Sequence, residues 1–471
     1  MKLFEHHKSP LPKRGRRIHF IGIGGAGMCG IAEVMHHIGY AVSGSDLERS
    51  STTQHLSSLG INVYIGHKAE QVHGCDVIVT STAVQASNPE VRKARSLHIP
   101  VIPRAEMLGE LMRFRQGIAI AGTHGKTTAT SLCTSILAEG GLDPTFVIGG
   151  RLNSAGRHAS LGAGEYLVAE ADESDASFLH LNPVIAVITN IDADHMETYH
   201  NDFNELRQTF ITFLHQLPFY GLAILCIDDP VIREVLPELT KPLLTYGFSE
   251  NANIRAVNLR QVGEESHFNV LYEQHPWLEV SMKLPGRHNV QNALAAIAVA
   301  HEVGVPDVAI CQALSDFKGI DRRFQMKTLQ IAQGEILLID DYGHHPQEIS
   351  AILKSIREGW VDRRLVVAFQ PHRYTRTRDL LTEFADILST VDVLLLLDIY
   401  PAGEPVIAGA EGKDLFQAIQ TLGRIDSPIF VEELAQLPEK LSPVLKDQDI
   451  LLTLGAGTIG LASANLPYQL K

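Results

Sequence analysis

Residues 117–131 read Gly-Ile-Ala-Ile-Ala-Gly-Thr-His-Gly-Lys-Thr-Thr-Ala-Thr-Ser and constrain the fold more than any other stretch. An apolar run typical of a buried parallel strand leads through a turn with two glycines into a helix that begins at Lys126. Backbone N–H groups at such a helix N-terminus bind phosphate, and a Thr hydroxyl there can bind Mg²⁺. The full P-loop pattern has a glycine where Ile120 stands, so this is a shortened variant. Its candidate phosphate-binding residues are Gly122, Thr123, His124, Gly125, Lys126, Thr127 and Thr128.

The composition indicates a globular protein of several domains. With 471 residues, 45% hydrophobic and 20% charged, the chain has material for about three domains with buried cores. A net charge of -14 and the lack of a long apolar run lead us to expect neither nucleic-acid binding nor membrane insertion. Five cysteines without a CxxC pair are typical of a reduced, cytoplasmic compartment. Residues 1–15 are expected to form a flexible tail.

A second strand–turn–helix pattern lies near the N-terminus. A strand from Arg17 runs into Gly22-Ile-Gly24-Gly25-Ala26-Gly27, at the opening of an apolar helix from Met28 to Gly39, and the next strand ends at Asp46. This GxGxxG with a following acid matches the dinucleotide fingerprint, in which the acid binds a ribose hydroxyl. The glycines specify a diphosphate and not a nicotinamide, so an NAD-binding oxidoreductase is only one interpretation. We assign residues 1–111 to a Rossmann-like domain.

Acidic residues follow two further apolar runs. Glu170 comes directly after the first run and opens a carboxylate cluster, and Asp192, Asp194 and His195 follow the second. Acids at the ends of strands beside a phosphate loop are typical of Mg²⁺ sites, although exposed acidic turns are also common. The sequence favours the metal interpretation for Glu170 and leaves His195 open between a ligand and an ordinary surface or core histidine.

Residues 252–283 alternate apolar and polar side chains and predict a small antiparallel sheet. Asn289 and Asn292 share one face of the helix that follows. N-capping explains one asparagine but not both, which favours a ligand contact. We assign residues 112–319 to a central, P-loop ATPase-like domain with a mostly parallel sheet.

Four apolar runs predict the parallel strands of a third, Rossmann-like domain in residues 320–471. Each of the runs at 336–340, 365–369, 391–397 and 450–454 ends in polar residues, and the carboxyl edge of a parallel sheet is its usual ligand edge. Arg373 and Arg376 follow one run with Thr and Tyr interleaved, which favours an anion or carboxylate site over a solvated charge run. The predicted fold class is therefore α/β with three domains.

Motifs from all three domains recur in the same order in the Mur ligases, which the sequence resembles from about Ile18 to Gly460. They are Gly122-Thr-His-Gly-Lys-Thr-Thr128, Glu170-Ala-Asp-Glu-Ser-Asp175, Asn190-Ile-Asp-Ala-Asp-His195, Gly286-Arg-His-Asn-Val-Gln-Asn292, Asp321-Arg-Arg-Phe324, Asp341-Tyr-Gly-His-His345 and Phe369-Gln-Pro-His-Arg-Tyr-Thr-Arg376. The resemblance implies a bacterial cytoplasmic ligase of peptidoglycan precursor synthesis, monomeric or homodimeric. It implies ATP and two Mg²⁺ ions as cofactors and UDP-N-acetylmuramate and L-alanine as substrates. A ligase that reattaches a recycled tripeptide to the same UDP-sugar shares most of these motifs.

The resemblance also implies roles for individual residues. The UDP-sugar would bind at Gly24, Gly25, Ala26, Gly27 and Asp46. Nucleotide contacts are implied for the phosphate loop, Asn289, Asn292 and Arg323, and Mg²⁺ ligands for Thr127, Glu170 and His195. Substrate contacts are implied for Arg322, Tyr342, His344, Arg373 and Arg376, and catalytic roles for Lys126, His195, Arg323 and His344. Ile320-Asp321 departs from the small glycine- or alanine-rich pair of the family, which leaves the hinge geometry open.

Overall fold

The strands of the protein form three sheets. The computed structural model describes residues 17–81, 83–152 and 157–470, and the predicted tail at residues 1–15 lies outside them. The sheets have five, ten and six strands, which confirms the three-domain α/β fold class. Contacts divide the chain into two compact units, the first with residues up to Ala256, 270–278 and 291–314, and the second with 257–269, 279–290 and 315–471. The domain boundaries near residues 111 and 319 stay a prediction.

The first sheet is the parallel sheet predicted for the N-terminal domain. Its order is β3-β2-β1-β4-β5, and all neighbouring pairs are parallel. The strands are β1 (Arg17–Ile21), β2 (Ala41–Asp46), β3 (Asn62–Ile65), β4 (Val77–Thr80) and β5 (Val101–Pro103). The helices are α1 (Ala26–His37), α2 (Ser51–Ser58), α3 (Pro89–Ser96) and α4 (Arg104–Met112). Helix α1 begins at Ala26 rather than at the predicted Met28, directly after the glycine turn.

A buried carboxylate ties α3 to the middle of this sheet. Glu90 is fully buried, and its oxygens lie 3.0 Å from His19 Nε2 and 2.8 Å from His67 Nδ1. The Ser45 hydroxyl donates a third hydrogen bond to Glu90 at 2.7 Å. A buried carboxylate is tolerated only with such partners, so the network fixes α3 against β1 and β2. The sequence did not predict this network, because hydrophobic periodicity carries no signal for a buried polar group.

The second sheet has the phosphate loop near its centre. Its order is β15-β14-β13-β12-β11-β10-β6-β9-β7-β8, so β6 lies between β10 and β9 and is parallel to both. The strands are β6 (Gln116–Ala121), β7 (Thr145–Leu152), β8 (Arg157–Ser160), β9 (Tyr166–Glu170), β10 (Ile185–Ile188), β11 (Leu222–Cys226), β12 (Leu243–Gly247), β13 (Ile254–Val262), β14 (Glu265–Tyr272) and β15 (His275–Met282). The helices are α5 (Lys126–Glu139), α6 (Phe203–His215), α7 (Pro230–Val235), α8 (Arg287–Glu302) and α9 (Asp307–Ser315). Parallel pairing brings the loops after β9, β6 and β10 to one edge.

Two parts of the second sheet are not parallel. Strands β13, β14 and β15 are successive neighbours joined by two-residue turns, which only antiparallel strands permit, as predicted for residues 252–283. The β7–β8 pair is also antiparallel and was not predicted. Strand β8 has only four residues, too few for an alternating pattern to be recognised.

The third sheet has the order β16-β17-β21-β18-β19-β20. The strands are β16 (Gln325–Ile331), β17 (Gly334–Asp341), β18 (Leu365–Phe369), β19 (Val393–Leu397), β20 (Ile429–Val431) and β21 (Ile450–Leu454). The helices are α10 (Pro346–Gly359), α11 (Tyr374–Asp379), α12 (Leu381–Leu388), α13 (Gly412–Leu422), α14 (Leu437–Leu441) and α15 (Ile459–Gln469). The four predicted strands form the parallel centre, whereas the edge strands β16 and β20 were missed because they are short or largely exposed. Among the described residues, no helix has the length and apolar character needed to cross a membrane.

Glu90→Ala should destabilise the first sheet strongly. The change leaves His19, Ser45 and His67 without their shared acceptor in a buried site, which costs about 3 kcal/mol of unfolding free energy. Urea unfolding followed by circular dichroism measures the loss.

Glu110→Ala is the matched control, because the Glu110 carboxylate is 45% exposed and pairs only at the surface with Arg113. We expect it to change the free energy by less than about 0.5 kcal/mol. Equal effects of the two substitutions would contradict the role assigned to the buried network.

Candidate active site

The phosphate loop joins β6 to α5 and has the backbone geometry that its glycines allow. Gly125 has a φ of 83°, a left-handed conformation that other residues rarely adopt. A Cβ atom at Gly125 would overlap the side-chain oxygen of Asn292, so this glycine also permits α8 to approach the loop. The structure thus brings the predicted nucleotide contact Asn292 against the loop. Asn289, on the same helix, is buried and donates a hydrogen bond to Pro285 O at 2.7 Å.

The segment after β10 supports the loop from one side. Asn190 accepts hydrogen bonds from Thr123 N through its main-chain oxygen and from His124 N through Oδ1, at 3.1 and 2.8 Å. The main chain of Asp192 donates to the Thr123 hydroxyl at 2.9 Å, and its carboxylate lies 3.2 Å from His124 Nε2. The first residues of the predicted Asn190–His195 cluster, Asn190 and Asp192, therefore stabilise the conformation of the phosphate loop.

Lys126 connects the loop to the acidic cluster after β9. Its ammonium donates to Gly122 O at 2.7 Å, to Thr123 O at 3.2 Å and to Glu173 Oε2 at 2.6 Å. Burial raises the pKa of Glu173 to about 7, and Asp172 adds to that rise, while Lys126 opposes it. Burial lowers the pKa of Lys126, but the carboxylates of Glu173, Asp172 and Glu170 outweigh it, so the net shift is upward. Lys126 therefore stays charged at neutral pH.

Glu173 was not among the predicted site residues. The sequence contained a signal for it, because Glu173 lies within the acidic run that Glu170 opens, but spacing alone cannot show which acid faces the lysine. The structure places Glu170 at the end of β9, in register with Ile120 of β6 and hence on the strand next to the loop. The two acids thus differ in role, since Glu173 holds the lysine and Glu170 ends a strand at the ligand edge.

The candidate Mg²⁺ ligands belong to three neighbouring segments of the same sheet edge. Thr127 lies in the first turn of α5, Glu170 ends β9, and His195 follows β10. A hydroxyl and a carboxylate are the oxygen ligands that Mg²⁺ prefers, so Thr127 and Glu170 fit this ion. His195 has a φ of 53°, and its Nε2 lies 3.5 Å from Asp194 Oδ2. An imidazole is a less typical Mg²⁺ ligand, so a second ion at His195 stays a prediction.

The N-terminal glycine turn is closed by Asp46. Gly24 and Gly25 lie in the turn, and Ala26 and Gly27 begin α1. The Gly24 amide donates to Asp46 Oδ2 at 2.8 Å. The ligand contact predicted for Asp46 stays a prediction, and one of its oxygens orders the turn itself.

Arg322 is engaged by the protein on several sides. Its Nε lies 3.1 Å from Asp340 Oδ2, its Nη2 donates to Gly455 O at 2.5 Å, and its guanidinium lies 5.3 Å from the ring centre of Tyr342. The predicted role of Arg322 in substrate binding stays a prediction, and these contacts indicate a structural one. Arg322 has a φ of 57°, a left-handed conformation that is uncommon for a residue with a side chain. The backbone adopts it although Ile320 and Asp321 stand where small residues were expected.

Arg323, Tyr342 and His344 lie together at the end of β17. Arg323 is 5.2 Å from the Tyr342 ring centre and 4.0 Å from Glu348 Oε1. His344 Nδ1 lies 3.1 Å from Tyr342 O, and the His344 amide donates to Glu348 Oε2 at 3.0 Å. The His344 ring also contacts His372, with ring centres 5.7 Å apart. The structure therefore brings two of the five substrate-contact candidates of this domain, Tyr342 and His344, together with the nucleotide-contact candidate Arg323.

Arg373 directly precedes α11 and Arg376 lies in its first turn, and the two have different environments. Arg373 has a φ of 73°, and its half-exposed guanidinium lies 3.8 Å from Glu404 Oε1. Arg376 is buried, with 8% of its surface exposed. The binding of a donor carboxylate by either arginine stays a prediction.

Asp341 fixes two loops at the end of β17. Its carboxylate accepts hydrogen bonds from Phe324 N at 2.7 Å and Gly343 N at 2.6 Å. Burial raises the pKa of Asp341 to about 6, although Arg323 and both backbone N–H groups act in the opposite direction. The Asp341 carboxyl group therefore holds both the segment 320–324 and the loop that carries His344. The sequence did not predict this role of Asp341.

Together these features, parallel α/β sheets and a shortened P-loop with an acidic cluster, are typical of enzymes that bind a nucleoside triphosphate. The Mur ligase catalytic-domain model matches residues 17–116, the Mur ligase middle-domain model residues 120–300, and the Mur ligase glutamate ligase domain model residues 322–457. The chain belongs to the Mur ligase family, whose members are ATP-dependent acid–amino-acid ligases. The family resemblance is thus confirmed, and the oxidoreductase interpretation of the GxGxxG turn is set aside.

Solved structures share the fold. The UDP-N-acetylmuramate–alanine ligase MurC from Thermotoga maritima is 29% identical, with a TM-score of 0.81 over 96% of this chain and 98% of that one. A UDP-N-acetylmuramate:L-alanyl-γ-D-glutamyl-meso-diaminopimelate ligase from Neisseria meningitides is 30% identical, with a TM-score of 0.60 over 65% of this chain and 99% of that one. A murein peptide ligase from Psychrobacter arcticus, at 23% identity, has a TM-score of 0.70 over 97% of this chain and 99% of that one and shows the fold alone.

Lys126→Met should abolish ATP-dependent ligation. The change removes the cation that the loop presents to phosphate, and losses of about 10²- to 10³-fold in kcat or more are expected for such a group. Because the change also leaves Glu173 buried without its partner, stability should fall as well.

The double variant Lys126→Met/Glu173→Gln separates the two effects. It removes both members of the buried pair, so thermal unfolding should recover towards wild type while phosphate release stays lost. If activity returned together with stability, Lys126 would be a structural residue only.

Asp341→Asn removes a titrating group at nearly constant size. The folded protein keeps the Asp341 proton up to about pH 6, whereas the unfolded chain loses it near pH 4, so the native state binds more protons in between. The wild type should therefore gain stability relative to the variant as the pH falls from about 7.5 to 4.5, by up to about 2–3 kcal/mol. Urea unfolding of both proteins across this range measures the difference, and a constant difference would contradict the shifted pKa.

Proposed function

We propose that the protein ligates L-alanine to the lactyl carboxylate of UDP-N-acetylmuramate, with conversion of ATP to ADP and phosphate. The observation that carries this proposal is the Lys126 phosphate loop with its acidic cluster, in a fold similar to MurC of Thermotoga maritima over 96% of the chain. The name of that relative states both substrates, and its TM-score of 0.81 exceeds those of the two peptide ligases.

The proposed reaction must bring two anions, the lactyl carboxylate and ATP, into contact. The lactyl carboxylate attacks the γ-phosphorus of ATP, ADP leaves, and an acyl phosphate forms. Backbone N–H groups of the loop and the ammonium of Lys126 offset the charge of the transferred phosphoryl group. When bound at Thr127 and Glu170, Mg²⁺ would supply further neutralisation of the phosphate oxygens. The sugar nucleotide would place its diphosphate at the Gly24–Gly27 turn, where the N-terminus of α1 favours negative charge.

In the second half of the reaction, the neutral amine of the donor attacks the acyl carbon. The tetrahedral intermediate loses the amine proton and expels phosphate, which carries that proton away as hydrogen phosphate, and the amide remains. A donor with one small side chain must be held by its carboxylate, and the buried Arg376 beside Arg373 is the proposed clamp. A nearby cation also lowers the pKa of the amine, which increases the neutral, reactive fraction.

A second candidate is ligation of a recycled tripeptide to the same UDP-sugar. The observation that favours it is the 30% identity with the meningococcal peptide ligase, although that match covers only 65% of this chain. The two candidates share the sugar nucleotide, ATP and the acyl phosphate. They differ in the amine donor, so the donor is what an experiment must vary.

Phosphate release should be fastest with L-alanine. With ATP, Mg²⁺ and UDP-N-acetylmuramate present, glycine and L-serine should be weaker donors and L-alanyl-γ-D-glutamyl-meso-diaminopimelate inactive. One methyl group is worth about 1–3 kcal/mol of discrimination, so glycine should retain measurable turnover. A tripeptide that outcompetes L-alanine at equal concentration would favour the second candidate instead. Calorimetric binding of NADH without binding of the UDP-sugar would contradict both.

A further inference from the structure

Arg104 contacts two elements that carry separate candidate anion sites. It begins α4 directly after β5, and its Nη2 lies 3.4 Å from Asp172 Oδ2 in the acidic cluster of the second sheet. On its other side the guanidinium lies against the first turn of α1, where a Cβ atom at Gly27 would overlap Nη1. Gly27 therefore lacks a side chain at the point where the arginine needs the space.

The two contacts lead to the two sites of the proposed reaction. Gly27 belongs to the glycine turn proposed for the sugar-nucleotide diphosphate. Asp172 precedes Glu173, the partner of Lys126 in the phosphate loop.

Stability alone is a weak explanation for this pair. The Arg104 and Asp172 side chains are 31% and 38% exposed. Ion pairs with this exposure contribute little to folding, because water and salt screen them. An arginine also offers a rigid fork of donors, which fixes geometry better than a lysine.

We propose that Arg104 is a positioning residue for ligation, which holds the glycine turn of α1 and the acidic cluster beside Lys126 at the spacing that aligns the two substrates. The inference rests on the proposed function, because it requires a sugar-nucleotide diphosphate at the turn and ATP at the loop. The carboxylate must come within about 3–3.5 Å of the γ-phosphorus, and an error of about 1 Å costs about 10²-fold in rate.

The test measures steady-state phosphate release by full-length Arg104→Gln, Arg104→Lys, Asp172→Asn and the double variant Arg104→Gln/Asp172→Asn. We expect kcat to fall about 30- to 100-fold in Arg104→Gln, with the KM for ATP within about twofold of wild type. Arg104→Lys should recover part of the loss, since it keeps the charge but not the fork. The double variant should be no slower than the slower single variant, because both changes break one contact.

Arg113→Gln is the matched control. It removes an arginine just beyond the end of the same helix, whose pair with Glu110 is exposed, and should leave kcat unchanged. A kcat for Arg104→Gln within about threefold of wild type, or a loss confined to the KM for the UDP-sugar, overturns the inference. If the loss of kcat in Arg104→Gln is fully explained by a smaller folded fraction, as measured by thermal unfolding, the inference is overturned as well.

Calorimetric titration of the wild type with UDP-N-acetylmuramate separates this inference from the function on which it rests. Wild-type binding together with unaffected variants rejects the role of Arg104 and leaves the proposed function standing. Absence of wild-type binding rejects the proposed function itself.

Discussion

The candidate active site depends on one buried cation. Lys126 closes the phosphate loop by donating to Gly122 O and Thr123 O, and it also binds Glu173 in the segment that follows β9. The loop, β6 and β9 are thereby tied at one point. Without the Glu173 carboxylate, the buried ammonium would lose its nearest anion; without the ammonium, the pKa of Glu173 would rise further and the acid would be a buried neutral carboxyl group. The pair therefore explains both why the acidic cluster follows β9 and why the loop keeps its shape.

The parts of the fold that could be predicted are those with a repeating or local signal. The continuous apolar runs of β6, β18 and β21 indicate buried parallel strands, and the glycines at 122 and 125 mark the turn. Strands β8 and β20 could not be predicted, because they are short and depend on pairing with neighbours that are distant in sequence. The start of α1 was predicted two residues late, since a glycine-rich turn does not mark where helical geometry begins.

The same distinction applies to the site. Motif spacing identified the loop, Glu170 and Asn292, because these residues follow strands or share a helix face. It could not identify Glu173, Asp341 or Arg104, whose roles depend on contacts between segments far apart in the chain. Asp46 and Arg322 have contacts within the protein that their residue types did not reveal, since Asp46 orders a turn and Arg322 lies against Asp340 at the end of β17. Their predicted ligand contacts stay predictions.

The Lys126–Glu173 pair also bears on how the loop receives phosphate. An ammonium has three donors, and in the structure Gly122 O, Thr123 O and Glu173 accept from them. A phosphate oxygen that binds Lys126 must replace one of these acceptors. A backbone carbonyl oxygen cannot take up a proton at neutral pH, whereas Glu173, with a pKa of about 7, can do so at small cost. Exchange of Glu173 for phosphate, with protonation of Glu173, therefore leaves no buried charge unpaired, whereas exchange of a carbonyl would leave that oxygen without its hydrogen bond. The raised pKa of Glu173 would thus favour its replacement by an anion at Lys126.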